Sequence, residues 1–172
     1  MRVREAKWAD FEDIKNLYCT GYDEIKSDKN FGDTLFLEKP STKDWIDKFT
    51  KRYKNTLDGN ATHLVMEEKG KVVGYCVVTK REIPDSELSH VGDLGFRVMY
   101  GYRNRGIGTR LIKHTIKSCR GRFDIINAYV ISTNVQSKHI FKKMGFRVWG
   151  IAPQFVKRGG RYMDLEYLYL KL

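Results

Sequence analysis

Between residues 90 and 131 the chain reads as strand, arginine- and glycine-rich turn, helix, strand, and this one stretch restricts the fold more than any other. His90 to Met99 is rich in β-formers, Gly106 to Cys119 repeats Ile107, Leu111, Ile112 and Ile116 at helical spacing, and Asp124 to Ile131 is apolar again. Two strands joined by a helix must lie parallel, so the chain needs a sheet with a helix covering its crossover.

The flanking segments supply the rest of that sheet. Met1 to Ala6 predicts a short strand, and Asp10 a helix cap ahead of Phe11, Ile14, Leu17 and Tyr18. Residues 21 to 40 predict a loop or broken helix. Ser41 with Asp44 forms a capping-box pattern before a second helix containing Trp45, Ile46, Phe49 and Tyr53. Ala61 to Glu68 and Lys71 to Lys80 predict a hairpin across Lys69 and Gly70. After a break at Ile83 to Ser86 comes the crossover, then a helix from Asn134 through Met144. Phe146 to Val156 and Tyr162 to Leu170 close the chain as a hairpin across Arg158, Gly159 and Gly160. The expected class is α/β (α+β), one domain over residues 1–172, with about seven strands and helices on both faces.

Charge narrows the partner. Residues 1 to 60 carry 12 basic and 12 acidic side chains, residues 61 to 172 carry 20 and 9, and the net charge is +11. Arg97, Arg103, Arg105, Arg110, Lys113, Lys117, Arg120 and Arg122 follow one another with no intervening acid. A polyanion is expected there. No apolar run approaches the roughly 20 residues of a membrane span, and the charged N-terminus does not suit a signal peptide, so a cytoplasmic protein is expected. Cys19, Cys76 and Cys119 lack metal-ligand spacing; they predict buried thiols and no metal site.

The turn Arg103-Asn104-Arg105-Gly106-Ile107-Gly108 places unpaired N–H groups and a helix dipole where an anion could sit. It matches neither a Walker loop nor a dinucleotide fingerprint. Val98 through Leu111, containing that turn, resembles the acetyl-CoA signature of the GNAT acetyltransferases. Asn134 through Phe146 resembles the same family's Asn-x-x-Ala-x-x-x-Tyr-x-x-x-Gly-Phe element.

The resemblance implies a GNAT fold, a mixed and mostly antiparallel sheet whose central strand pair splays, and an N-acetyltransferase using acetyl-CoA. Backbone groups from Arg103 through Asn104, Arg105, Gly106 and Ile107 to Gly108 would hold the pyrophosphate, with Thr109 and Arg110 beside them. Main-chain groups of Phe96, Arg97 and Val98 would line the pantetheine arm, with the Val98 amide facing the acetyl carbonyl as an oxyanion donor. Asn134 would touch the arm and also cap its helix. Ser137 replaces the family's alanine, and Phe141 its tyrosine, whose hydroxyl protonates the departing thiolate. Tyr129, Tyr162 or a water are the substitutes for that proton. Glu87, His90 and Asp93 are the candidate bases; strand alternation favours His90, whereas a bulge in the splayed strand favours Asp93.

The acceptor is expected to be a small amine or a protein N-terminus, recognised by the segment between the first two helices and by the last hairpin. The former holds Asp23, Glu24, Asp28, Asp33, Glu38, Phe31 and Phe36; the latter holds Phe155, Lys157, Arg158, Arg161 and Tyr162. Two other readings are a coenzyme A-binding protein without catalysis and a nucleic-acid or ribosome-associated module. The second is disfavoured because the basic stretch lacks interleaved aromatics and helix-turn-helix or zinc signatures. A monomer and a homodimer are equally compatible with the sequence.

Overall fold

The computed structural model describes residues 1–27, 41–81 and 86–172. In chain order the elements are β1 (Arg2–Glu5), α1 (Phe11–Ser27), α2 (Thr42–Leu57), β2 (Ala61–Glu68), β3 (Lys71–Lys80), β4 (Val91–Val98), α3 (Ile107–Cys119), β5 (Ile125–Ile131), α4 (Val135–Lys143), β6 (Arg147–Arg158) and β7 (Arg161–Lys171). The strands form one seven-stranded sheet in the order β1-β2-β3-β4-β5-β7-β6. Only β4 and β5 run parallel, across the crossover that α3 makes.

The sheet is buried from both sides, which is why its central strands do not alternate in polarity. Leu64, Met66, Cys76 and Val78 pack with Leu111, Ile112 and Phe141 beneath α3 and α4. Val65, Val72, Tyr75 and Val77 point the other way, onto Ile14, Leu17 and Phe49 of α1 and α2. Leu111 and Ile112 are fully buried, and each such side chain contributes about 2 kcal/mol. The β2/β3 turn closes with Lys69 at φ 49° and Gly70 at φ 78°, a two-residue hairpin turn with both residues left-handed.

At the edge of the second core, on the α1 side of the sheet, Asp10 is not the helix cap that the sequence suggests. A 3₁₀ turn over Trp8–Asp10 precedes α1. The Asp10 carboxylate accepts from the Lys7 N–H at 2.7 Å and from Arg4 Nη1 and Nη2 at 2.7 and 2.8 Å, while Arg4 Nε donates to Glu67 at 2.6 Å. Burial acts to raise the Asp10 carboxyl, but Arg4 and the backbone donor outweigh it, and the net shift is downward. A depressed carboxylate stabilises the fold above its unfolded pKa, and that contribution is lost as pH falls through the folded value. Asp10→Ala is expected to cost about 2 kcal/mol in urea unfolding at neutral pH, since it leaves Arg4 part-buried without its main partner. An unchanged midpoint would show that Glu67 alone satisfies Arg4.

Other expectations are refined. α1 continues helically to Ser27, whereas the predicted broken region over 28–40 lies outside the described residues, as does the break at 82–85. The Ser41–Asp44 capping box is present in both directions. Cys76 and Cys119 are buried, and burial pushes the Cys76 thiol up to about 12; Cys19 is only half-buried, against the expectation for all three. β6 is not the plain strand that the sequence implies. Its pairing with β7 slips between Val148 and Gly150 and again between Ala152 and Val156, where Gln154 takes φ 53° and donates its N–H to Asp164 at 2.8 Å. Among the described residues no helix is long and apolar enough to cross a membrane, and no cluster of His, Cys, Asp or Glu could hold a metal.

Candidate active site

The site begins where the parallel pairing stops. β4 and β5 are in register from Val91↔Ile125 to Leu94↔Ala128, and beyond those residues no pairing joins them although both strands continue. This is the splay. Main-chain direction within it follows from the neighbouring bonds: Met99 N–H reaches Val73 O, and Val91 O accepts from Arg81 N–H, so odd-numbered residues of β4 pair with β3. Even-numbered ones, including Phe96 and Val98, turn their N–H and C=O groups toward the gap. The Val98 carbonyl there accepts from Arg103 Nε at 3.0 Å.

A cleft of 710 Å³ opens at this end of the sheet between the starts of α3 and α4. Its lining takes in Phe96, Arg97, Val98, Arg103, Asn104, Gly106, Ile107, Gly108, Thr109, Asn134 and Ser137, eleven of the residues predicted for the donor, and it contains no acid. Gly106 stands at the N-cap of α3 with φ 73° and no side-chain cap, so the first N–H groups of α3 reach the cleft without a capping side chain. Gly108 is needed for closeness: a Cβ there would come to 3.3 Å from both Ile140 Cδ1 and Phe96 Cε2. The second helix start is organised by Asn134, whose Oδ1 accepts the Ser137 N–H at 2.9 Å. Two helix N-termini facing one acid-free cleft make it a site for an anionic ligand.

The arginine side chains of this region are engaged by neighbouring rings and carbonyls. Arg103 and Arg105 lie over the rings of Tyr100 and Tyr102 at 5.5 and 5.3 Å. Arg97 lines the cleft, yet its buried side chain passes to the opposite face, over Tyr18 at 5.3 Å and toward the carbonyls of Leu17 and Tyr18. The run of eight basic residues is therefore not one surface. Arg110 is exposed and outside the lining, and Phe141 is 2% exposed, edge-on to Phe96 and Phe146 in the core.

The candidate bases separate by position. β4 has no bulge, because its register with β3 runs unbroken from Gly74↔Val98 to Lys80↔Gly92, so the expected irregularity is absent. His90 precedes the strand and Glu87 sits exposed in a short turn before it, roughly 25 Å along β4 from Val98 at the usual rise per residue. Asp93 is one residue short of the fork, on the face toward α1 and α2. Tyr129 donates its hydroxyl to Asp93 Oδ1 at 3.1 Å, and Arg81 Nε lies 3.9 Å from Oδ2. Tyr129 is edge-on to Tyr167 at 5.3 Å, and Trp149 packs on Tyr167 at 5.4 Å. The aromatic trio was not foreseen, because the bulge at Val148/Gly150 displaces the β6 register that sequence alternation would give. Tyr102, Thr133, Val135, Gln136, His139 and Ile140 of the lining were also unforeseen. For Val135, Gln136, His139 and Ile140, spacing from Asn134 along a helix start was the available signal.

Comparison with known proteins agrees with this geometry. The model of the acetyltransferase (GNAT) family matches residues 11–146. The L-amino acid N-acetyltransferase AaaT of Escherichia coli K12 is 27% identical over 168 residues, covering 96% of this chain and 94% of that protein. The L-amino acid N-acyltransferase MnaT of the same organism is 30% identical over 111 residues, 63% of each chain. Among solved structures, yncA from Salmonella typhimurium with its cofactor acetyl-CoA superposes with a TM-score of 0.84 at 22% identity, covering 99% of this chain and 93% of that one.

Proposed function

Since the chain belongs to the acetyltransferase (GNAT) family and is an N-acetyltransferase drawing on acetyl-CoA, we propose that its acceptor is the α-amino group of a free L-amino acid or a close analogue. The observation that carries this reading is the pair Asp93 and Arg81, side by side on the face of the splay away from the donor cleft. A carboxylate beside a guanidinium suits an acceptor bearing both an ammonium and a carboxylate. The relative that matches over nearly the whole chain acts on L-amino acids, which supports the same class.

In this reading the coenzyme A pyrophosphate rests on the N–H groups from Arg103 to Gly108, with Thr109 beside them, and the arm runs between Phe96–Val98 and the start of α4. Asn134 and Ser137 flank the arm. An N–H turned into the gap, that of Phe96 or Val98, stabilises the oxyanion as the amine attacks the thioester carbonyl, and Phe96 is the nearer of the two to Asp93. Asp93 takes the ammonium proton before attack. Asp93 fits that role better than His90 or Glu87, which lie at the far end of β4.

The test is an acetylation screen with acetyl-CoA across L-amino acids, their carboxamides, peptide N-termini, polyamines and aminoglycosides, read as thiol release. The expected result is that at least one L-amino acid exceeds every other class in kcat/KM by tenfold or more, and that its carboxamide loses most of that advantage. Preference for a peptide N-terminus or a polyamine would overturn the acceptor assignment.

A further inference from the structure

We propose that Tyr129 is the acid that protonates the departing thiolate, and that it receives its own replacement proton from Asp93, so that one hydrogen-bonded pair serves both ends of the reaction. The proposal rests on the acetyl-transfer reading above for its direction, but not on which amine is the acceptor.

The residue in the position where the family carries a tyrosine is Phe141, which has no proton to give and is packed away in the core beneath α3 and α4. Tyr129 is the first residue of β5 beyond its last pairing with β4, so its backbone stands at the fork of the splay. Its ring points to the face opposite α4, where its hydroxyl meets Asp93 at 3.1 Å. The leaving-group acid thus comes from the acceptor side of the sheet. Among the described residues, the charged and titratable groups facing the pair are Arg81, just past the end of β3, and Tyr167 from β7, with Asn127 in register beside Asp93.

Acid strength explains why the two groups must act together. A phenol ordinarily titrates near 10 and a thiol near 8.5, so an isolated tyrosine is the weaker acid and donates uphill, against an equilibrium factor of about 30. Burial, with the Asp93 charge beside it, raises the Tyr129 phenol further and deepens that deficit. A carboxylic acid behind the phenol reverses it, since net transfer then runs from carboxyl to thiolate.

The acceptor ammonium gives one proton to Asp93, and the neutral amine attacks the acetyl carbon, forming the C–N bond. As the C–S bond breaks, its electron pair stays on sulfur, which takes the Tyr129 proton while Tyr129 takes the one held by Asp93. The second proton of the new amide nitrogen leaves to solvent. Asp93 ends ionised and Tyr129 ends neutral, as both began.

The experiment measures steady-state kinetics of wild type, Tyr129→Phe, Asp93→Asn and the double variant with the best acceptor found in the screen, whatever its class. Acetyl-CoA affinity is measured by calorimetry and folding by thermal melting. The expected results are an about 100-fold lower kcat for each single variant, acetyl-CoA Kd within twofold of wild type, and a double variant no slower than the slower single. The wild-type solvent deuterium isotope effect on kcat is expected to disappear in Tyr129→Phe, a change that a packing role would not produce. Retention of more than half the wild-type kcat by a folded Tyr129→Phe, or losses that multiply in the double variant, would overturn the proposal. A screen that favours peptides or polyamines overturns the amino-acid reading alone and leaves this result to be judged on its own variants.

Discussion

Gly106→Glu is expected to weaken acetyl-CoA binding by at least about 100-fold while the protein remains folded. A Cβ at Gly106 meets no atom within 4 Å, so the new side chain enters open space at the mouth of α3 and disturbs no packing. The left-handed backbone, φ 73°, adds about 1 kcal/mol of strain for any residue with a Cβ. A carboxylate set about 5 Å from the pyrophosphate adds about 3 kcal/mol of repulsion at an effective dielectric near 20, which is a factor of about 200 in Kd. Gly106→Ala carries the strain without the charge and is expected to lose no more than about tenfold. Calorimetric titration of both variants separates the two causes. Equal affinity of Gly106→Glu and wild type would falsify the placement of the pyrophosphate at this turn.

The second large effect concerns stability against acid. His63 of β2 is 1% exposed, its ring is edge-on to Tyr75 at 5.8 Å, and its Nε2 has no hydrogen-bond partner among the described residues. Burial first, and then the nearby Arg52 charge, push it down from 6.5 to about 3. The unfolded chain binds a proton at His63 near pH 6.5, and the folded chain refuses it until about pH 3. Over that window the unfolded state holds more protons, so stability falls as pH falls, by about 1.4 kcal/mol per unit once the unfolded histidine is protonated. Urea unfolding of wild type and His63→Leu from pH 7 to pH 4 is expected to give curves that diverge by about 3 kcal/mol at the acid end. The Asp10 carboxylate weakens the fold in the same direction but is common to both proteins, so the difference reports His63 alone. Parallel curves would mean that the histidine is protonated and satisfied within the fold.

What the sequence disclosed and what it withheld divide along a physical line. Strand and helix positions, the hairpin turn at Lys69–Gly70, and the Ser41 and Asn134 caps are local matters of periodicity and hydrogen bonding, and they were legible. The cleft at the start of α3 was legible for the same reason, because a glycine turn opening a helix is contiguous in the chain. The ring and carbonyl partners of the Arg97, Arg103 and Arg105 side chains were not legible, because they are set by packing. Tyr129 and Asp93 are 36 positions apart and meet only through the parallel register of β4 and β5. Nothing in either local sequence marks that meeting.

The two slips in β6 have a consequence for the molecule in a crowded solution. β6 lies at the end of the sheet and carries Trp149, Ile151 and Phe155 well exposed, a combination that in a flat strand would template the addition of another chain. The slips at Val148/Gly150 and Ala152/Val156 interrupt the outer row of amides and carbonyls twice within one strand, so an incoming strand finds no continuous ladder to extend. The protein thereby keeps a greasy border in water while denying fibrils a starting point at that edge.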